Sequence, residues 1–352
     1  MQHYTFPYTE AFHCTAGDCP DSCCKGWEIV IDPKTLQTYQ QTCSPIGETI
    51  RSTLTKNEDD EWMFQNREDG NCPFWNAEKL CDLQIQAGES LLCDTCRQFP
   101  CIPQDYTLFT EHVLSLACPE AARLVLTQTE PFQAIPLTHA EPSEPINEAE
   151  LPYSLNWMNC LLETRAVLLQ LFQETSIPLA EALCYGLHYV QQFQDWIEEK
   201  TDDFPELQPI PSKPVFLHHE SVQHLYDTLE WMTPEWADWM QQIQQHPVTD
   251  ADLQAFIKIA EPWIPAFRNF CSYYLYLYWL QALNTGNALI QYQKLLAALH
   301  EIAIVSAWKL RETHTYTLTD CMIIVQRYAK EVMHDAENIE KIEDVLYNLG
   351  SL

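Results

Sequence analysis

The cysteines of this chain are concentrated at its amino-terminal end, in spacings that are typical of metal ligands. Eleven of the fifteen cysteines lie in the first 118 of 352 residues: Cys14, Cys19, Cys23, Cys24, Cys43, Cys72, Cys81, Cys93, Cys96, Cys101 and Cys118. Thiolates are soft ligands that select zinc, copper(I) or iron–sulfur clusters, and several must converge to hold one. A cysteine-rich segment on an otherwise ordinary chain therefore predicts a metal centre.

The rest of the sequence indicates a reducing compartment. The first residues (MQHYTFPYTE) have neither a basic segment nor an apolar run, so we expect no secretory signal. The longest apolar stretch, from Phe270 to Leu280, is too short to span a bilayer. We therefore expect a cytoplasmic protein that binds no membrane. In that compartment clustered cysteines bind metal, whereas the alternative, a disulfide framework, requires an oxidising environment.

The net charge of the chain limits its partners. The formal charge is −31, and acidic residues exceed basic ones in both the cysteine-rich segment and the remainder. Such a surface repels phosphate backbones, so we expect no nucleic-acid partner. It would attract a lysine-rich protein, although an acidic surface also serves solubility alone.

The first group of cysteines could dominate one metal site. Cys14, Cys19, Cys23 and Cys24 place four thiols within eleven residues. Adjacent cysteines rarely bind the same metal because successive side chains diverge. Cys24 is therefore left for a second site or for a structural role.

The second group contains a Cys-x-x-Cys knuckle, in which a tight turn presents two sulfurs to one metal. Its members are Cys93 and Cys96, and Cys72, Cys81 and Cys118 lie within sequence reach. Only one such knuckle is present, whereas zinc sites usually show paired knuckles, and this favours an iron–sulfur cluster over zinc. A redox dithiol at the knuckle is the alternative, but no thioredoxin-like βαβ pattern surrounds it.

Other motifs and cysteines carry less information. Gly26 stands where a radical-type Cys-x3-Cys-x2-Cys loop needs its third cysteine, and no G-x-G-x-x-G, P-loop or H-E-x-x-H motif occurs. His13 and Cys43 are read as ordinary surface or helix residues rather than ligands. Four further cysteines lie in apolar helical surroundings and are predicted to be inert core residues: Cys160, Cys184, Cys271 and Cys321.

Proline-rich stretches divide the chain into three segments and predict a mainly α fold. Residues 1–130 form an irregular cysteine-rich metal-binding module, 131–152 a Pro/Glu-rich linker, and 153–352 an α-helical domain. A second loop of the same type is expected at Asp202 to Pro214. A short, turn-rich module with a thin core usually needs a metal to hold it together.

Local signals predict several elements. Trp27 to Ile31 alternates like a strand, and Asp32-Pro33 starts a helix over Lys34–Gln41. Thr233 is a predicted N-cap, and Thr249 with Asp252 forms a predicted capping box. Late helices are expected at Pro265–Leu283, Ala288–Trp308, Thr319–His334 and Ile339–Leu349. An aromatic stripe is read as core rather than as a cofactor pocket: Phe267, Phe270, Tyr274, Leu277 and Tyr278.

The cysteine blocks resemble the flagellin lysine-N-methylase family. The similar blocks are Phe12 to Trp27 (FHCTAGDCPDSCCKGW), Gly70 to Phe74 (GNCPF), Leu80 to Asp82, Gly88-Glu89, Leu92 to Cys96 (LCDTC) and Leu116 to Arg123 (LACPEAAR). They are ordered and correctly spaced over residues 1–130. The helical remainder resembles the family in layout, with Phe267 to Phe270 (FRNF) as the counterpart of one family motif. Phe99-Pro100-Cys101 departs from the family, in which we expect arginine at the last position.

The resemblance implies a cytoplasmic enzyme that transfers methyl groups from S-adenosylmethionine to lysines of flagellin, with a [4Fe–4S] cluster taking part. The cysteines that match the family pattern, and so become the implied ligands, are Cys14, Cys19, Cys23, Cys24, Cys72, Cys81, Cys93, Cys96 and Cys118. Cys101 stands in place of that arginine. Either the role of the arginine is lost, or Cys101 is an additional ligand. No catalytic base and no donor-binding residue is nominated. The alternative function is a non-enzymatic zinc- or iron-chelating protein, although a chelator does not need the long helical segment.

Overall fold

The structure is a computed structural model that describes residues 2–137, 151–208, 225–226 and 228–349. Most of these residues are helical, as the predicted mainly α fold requires. The helices are α1 (Pro7–Glu10), α2 (Pro33–Gln41), α3 (Pro45–Ser52), α4 (Asp82–Ala87), α5 (Asp94–Gln98), α6 (Pro119–Thr127), α7 (Leu155–Gln173), α8 (Leu179–Ile197), α9 (Pro234–Gln245), α10 (Asp250–Ala260), α11 (Ile264–Tyr278), α12 (Ala282–Thr285), α13 (Ala288–Thr313), α14 (Leu318–Tyr328) and α15 (Ala336–Leu349).

Two small sheets accompany the helices. Their strands are β1 (Gln2–Thr5), β2 (Leu54–Lys56), β3 (Trp62–Phe64), β4 (Cys101–Asp105), β5 (Phe109–Leu114) and β6 (Ile135–Pro136). The larger sheet has the order β4-β5-β1-β6, with β1 parallel to β5 and the other pairs antiparallel. Strands β2 and β3 form a separate antiparallel pair. The larger sheet therefore joins the extreme amino terminus to residues that follow the cysteine knuckle.

The buried apolar residues form two clusters. The larger cluster extends from Phe6 to Leu346 and takes in the four-stranded sheet, α6 and the long helices. The smaller cluster extends from Ile29 to Cys93 and includes Tyr39, Phe64 and Phe74. The predicted cysteine-rich segment thus contributes to both clusters, and its central residues have a small core of their own.

The four late helices predicted from periodicity are present with shifted ends. The first is interrupted after Tyr278 by a 3₁₀ turn before α12 begins, and α13 continues to Thr313. Helix α14 ends at Tyr328 and is followed by a π-helical segment, Ala329–Met333. The last helix, α15, begins at Ala336. Helix ends depend on local capping and on tertiary contacts, so periodicity places them only approximately.

The predicted caps are confirmed. The Thr233 hydroxyl accepts a hydrogen bond from the Trp236 N–H at the start of α9. Thr249 and Asp252 form a reciprocal capping box at the start of α10, although the acid is aspartate rather than glutamate. Each cap satisfies N–H groups that have no partner in the first helical turn.

The predicted strand at Trp27 to Ile31 is wrong. In this stretch only Val30 forms a β-bridge, to Met63, and the Trp27 carbonyl is instead bonded by the Asn66 side chain. A strand needs a run of paired residues, and here only the Ile31 N–H and the Ile29 carbonyl bond to the backbone of β3, at Trp62 and Phe64. The predicted linker is also partly corrected, because Ile135–Pro136 pairs with β1, while residues 138–150 lie outside the described part of the chain.

The other predicted loop and the aromatic stripe agree with the structure where it describes them. Residues 202–208 contain neither helix nor strand, and 209–214 lie outside the described part. All five stripe residues are buried in the larger cluster, which supports the core interpretation. In the described residues no helix is long and apolar enough to cross a membrane.

Candidate metal centre

The nine implied ligands fall into two neighbouring groups of thiols. The loop set consists of Cys14, Cys19, Cys23 and Cys118, and the knuckle set consists of Cys24, Cys72, Cys81, Cys93 and Cys96. The two sets meet where the adjacent thiols of Cys23 and Cys24 hydrogen-bond to each other. Adjacent cysteines thus belong to different sets, which corresponds to the first of the two roles that the sequence left open for Cys24, a place in a second site.

The loop set brings the start of the chain to the start of α6. Burial is the main cause that raises the pKa of the Cys118 thiol to about 11, and the nearby thiols of Cys19 and Cys14 raise it further. Cys14 and Cys118 likewise act on the thiol of Cys23. The sequence placed Cys118 within reach of the knuckle, whereas the structure places it with the first cysteines.

The knuckle set belongs to the smaller hydrophobic cluster, in which Cys72 and Cys93 are buried and against which Cys24, Cys81 and Cys96 pack. Hydrogen bonds from Cys23 and then from Cys72 lower the pKa of the Cys24 thiol to about 3. The backbone supports this contact, because the Cys72 N–H donates to the Cys24 carbonyl at 2.9 Å. Cys81 lies close enough to Cys24 and Cys72 to share their electrostatic environment. A sulfur that accepts from two thiols is held as a thiolate, which is the form that binds metal.

The knuckle itself behaves in the same way. The Cys96 thiol hydrogen-bonds to Cys93, and this contact is the first cause of the lowered pKa of Cys93. It also raises the pKa of Cys96, to which burial and the sulfurs of Cys93, Cys72 and Cys24 contribute. The cysteines that lie within sequence reach of the knuckle are therefore close to it in space, apart from Cys118.

Three of the nine cysteines stand at the N-caps of helices. Cys81 precedes α4, Cys93 precedes α5 and Cys118 precedes α6. Burial is the largest influence on the Cys81 thiol and raises its pKa, while the N–H groups of Gln84 and Leu83 act in the opposite direction. The partial positive charge at a helix start favours the anionic form of sulfur. The short helices of the module thus aim their amino ends at the thiols.

Asp32 ties the knuckle to α2. One carboxylate oxygen accepts from the Thr35 N–H at 2.8 Å, and the other accepts from the Asp94 N–H at 2.9 Å. Burial would raise the pKa of Asp32, but these hydrogen bonds outweigh it and lower the pKa. The predicted cap is confirmed, and the same side chain also fixes the first turn of the knuckle helix, which the sequence did not indicate.

The helical part of the chain holds the cysteine loop in place. The Lys330 ammonium lies 3.1 Å from both carboxylate oxygens of Asp21, and the Gln326 amide donates to Asp21 at 2.9 Å. Asp21 stands between Cys19 and Cys23, so this contact reaches the centre of the loop set. No local sequence pattern predicted this contact. The one sequence signal that could have indicated it is a lysine within an otherwise apolar helical stretch.

The donor chemistry suits a thiolate-bound metal group. In the part of the chain that the structure describes, no three His, Cys, Asp or Glu side chains converge on a single metal position. Contacts between neighbouring thiols occur instead, and these contacts lower the pKa of Cys24 and of Cys93. Soft, closely spaced sulfur donors fit an iron–sulfur cluster or zinc, and they do not fit magnesium or calcium.

The remaining cysteines lie apart from both sets. The Cys101 sulfur is 3.7 Å from Nδ1 of His112 in the larger sheet, and burial raises the pKa of its thiol. Cys43 is exposed, as is His13. The four cysteines of the helical part are buried, as predicted: Cys160, Cys184, Cys271 and Cys321.

Comparison with known proteins gives relatives for one third of the chain. It is 33% identical over 120 residues to the Flagellar biosynthetic protein FliU of Salmonella muenchen, a stretch that covers 33% of this chain and 71% of the relative. It is 32% identical over 124 residues to the Lysine-N-methylase of Salmonella typhimurium, with 34% of this chain and 31% of the relative covered. The Lysine-N-methylase of Salmonella choleraesuis is 33% identical over 120 residues, with 33% and 30% covered. The chain thus spans less than a third of either Lysine-N-methylase. No protein-family profile and no solved structure matches it.

Proposed function

The chain belongs to the flagellin lysine-N-methylase family, and from this premise we propose that it is a protein lysine N-methyltransferase. The proposed reaction moves a methyl group from S-adenosylmethionine to the ε-amino group of a lysine. The proposed substrate is flagellin, in line with the names of the relatives, and the proposed compartment is the cytoplasm. The observation that carries the proposal is the gathering of the nine family cysteines into two adjoining sets.

We propose a [4Fe–4S] cluster as the resident group, with zinc as the alternative. The thiolates that would hold it come from the loop set and the knuckle set, and a cluster with one open iron takes three of them. When bound, a cluster with one iron that lacks a thiolate supplies a coordination position for the amino and carboxylate groups of the donor. This chemistry suits a chain that has no glycine-rich donor loop.

The reaction makes two demands on the protein itself. The lysine must lose its proton, because its ordinary pKa is about 10.4 and only the neutral amine attacks a methyl group. The amine, methyl carbon and sulfur must also be aligned, and such positioning supplies much of the rate. The acidic surface attracts a lysine-bearing protein but raises the pKa of its lysines, so the reacting amine must reach a drier or less negative place.

The test is methyl transfer from labelled S-adenosylmethionine to purified flagellin by protein isolated without oxygen. We expect transfer by the metal-replete wild type and by Cys184→Ala, whose thiol is buried in the helical part. We expect none by Cys93→Ser. A metal-replete protein that transfers no methyl group would overturn the enzyme proposal and leave a chelating protein as the function.

A further inference from the structure

A cleft of about 380 Å³ opens beside the loop set. It is bounded by the loop from Thr15 to Asp21, by the first turn of α6 and by the outer face of α14. Cys19 stands within the first of these walls, and Cys118 immediately precedes the second. The cleft therefore lies next to the thiols that the proposed function assigns to the metal group.

Its walls are largely apolar although it is open to solvent. Its apolar lining residues include Pro20, Pro119, Met322 and Ile323. Ile323 is 41% exposed, so its side chain is accessible to a molecule that enters the cleft. Apolar walls of this kind accommodate a purine ring or an alkyl chain.

Among the charged side chains of the cleft that the structure describes, one carboxylate has no charged partner. Arg123 is paired with Glu120 at 2.6 Å and 2.8 Å, and Arg327 is paired with Glu235 at 2.7 Å. Asp21 is bonded to the helical part, as described above. The Asp18 side chain, in contrast, has no hydrogen bond or ion pair within the described part of the chain. The local balance is therefore one negative charge, which complements a cation.

We propose that this cleft binds the methyl donor, an adenosyl sulfonium that carries a net positive charge; this assignment rests on the proposed function. The cleft volume lies within the range of roughly 300–1,000 Å³ that is typical of small-molecule sites. A single lysine side chain, the other cation of the reaction, is a narrow alkyl chain and would leave most of that volume empty. Apolar walls for the adenine, a carboxylate for the cationic part and adjacency to the loop set together favour the donor.

A second cleft of about 530 Å³ between α8, α13 and α15 is a weaker candidate. Its lining is rich in amide and charged side chains, including Gln191, Gln192, Asp195 and Glu198. None of its lining residues adjoins a cysteine of either set, whereas Pro20 and Pro119 of the first cleft directly follow Cys19 and Cys118. It therefore lacks the link to the proposed chemistry.

Donor affinity tests the assignment. The Kd of S-adenosylmethionine would be measured by titration calorimetry on metal-replete protein, together with iron and sulfide content. We expect Ile323→Trp to weaken binding about ten-fold or more, because an indole would occupy the cleft. The matched control is Ile259→Trp, since Ile259 is 43% exposed on α10 and lies outside the cleft. It should leave the Kd unchanged.

A second variant changes charge without filling space. Asp18→Asn should weaken donor binding about two- to five-fold, the range typical of an exposed charge pair. Asp59→Asn, in the exposed turn between β2 and β3, removes the same charge at a distance and should have no effect.

The outcomes separate this inference from the proposed function. Unchanged donor Kd in both cleft variants, with methyl transfer retained, would overturn the cleft assignment and leave the enzyme proposal standing. A raised KM for flagellin at unchanged donor Kd would assign the cleft to the lysine instead and also overturn it. A wild-type protein that neither binds the donor nor transfers methyl would overturn both.

Discussion

Lys330 and Asp21 form an ion pair that joins the carboxy-terminal helices to the middle of the cysteine loop. The ammonium is 3.1 Å from each carboxylate oxygen, and the two residues are 309 positions apart. The Lys330 side chain is only 3% exposed, whereas that of Asp21 is 23% exposed. The lysine therefore depends on its partner more than the aspartate does.

This asymmetry predicts unequal effects of the two neutral substitutions. Asp21→Asn leaves a buried ammonium without its counter-charge and should lower the free energy of unfolding by about 3 kcal/mol. Lys330→Met leaves a carboxylate that can reach water and should cost about 1–2 kcal/mol. Urea unfolding followed by circular dichroism measures both, with Asp59→Asn as the neutral control. Equal effects would contradict the inferred dependence of the lysine on the aspartate.

The cysteine sets predict which thiols hold metal. Cys19→Ser, in the loop set, and Cys93→Ser, in the knuckle set, should each lose metal and destabilise the amino-terminal part. Cys184→Ala should retain the full metal content. The measurement is iron, sulfide and zinc content with a visible spectrum, on protein purified without oxygen. About four iron and four sulfide per chain with a broad band near about 400 nm is expected of one [4Fe–4S] cluster.

Two results would contradict this prediction. Unchanged metal content in both serine variants would refute the ligand assignment. Zinc without sulfide or colour would replace the cluster with a structural zinc site.

His334 predicts a pH dependence of stability. Its Nε2 lies 2.6 Å from the Ser115 hydroxyl, whose oxygen also accepts from the Ala117 N–H. The ring and the hydroxyl are within hydrogen-bonding distance, and burial, which disfavours the charged imidazolium, lowers the pKa of His334 from 6.5 to about 4.

Between these values the unfolded chain binds a proton that the folded chain does not, so stability falls as the pH is lowered from 6.5 to about 4. We expect a loss of about 3 kcal/mol from this residue, at about 1.36 kcal/mol for each pKa unit. His334→Gln should flatten the dependence in that window, whereas the exposed His246→Gln should preserve it. Urea unfolding at a series of pH values decides the point, and identical pH profiles for wild type and His334→Gln would refute it.

The buried ion pair of Arg165 and Glu111 predicts strong coupling between α7 and β5. The guanidinium donates two hydrogen bonds, of 2.8 Å and 2.6 Å, and lies over the Tyr276 ring. Either Arg165→Met or Glu111→Leu should destabilise the protein by about 3–5 kcal/mol, because each leaves an uncompensated buried charge. The double variant should recover part of that loss.

A double-mutant cycle by urea unfolding measures the coupling. Lys200→Met serves as the control, since Lys200 pairs with Asp195 at the surface and should cost less than about 1 kcal/mol. Additive effects of the two buried substitutions would show that the pair is not coupled.

Local sequence signals were sufficient to predict many of the helices of this protein. Hydrophobic period predicted the late helices, and the side chains of Asp32, Thr233 and Thr249 marked helix starts that the structure confirms. These signals act within a few residues, so they need no knowledge of the rest of the fold. The predicted strand at Trp27 is wrong because strand formation is not local. A strand forms only where a distant segment pairs with it over several residues.

The sequence by itself determined the family, the helical character of the later segment and the concentration of thiols in the first 118 residues. Only the tertiary structure decided how those thiols are divided: Cys23 and Cys24 turn to different sets, Cys118 joins Cys14 and Cys19, and Lys330 anchors the loop between them. The physical reason is that residue spacing limits which thiols can meet, whereas the packing of α6 and α14 around the larger core fixes which of them do meet.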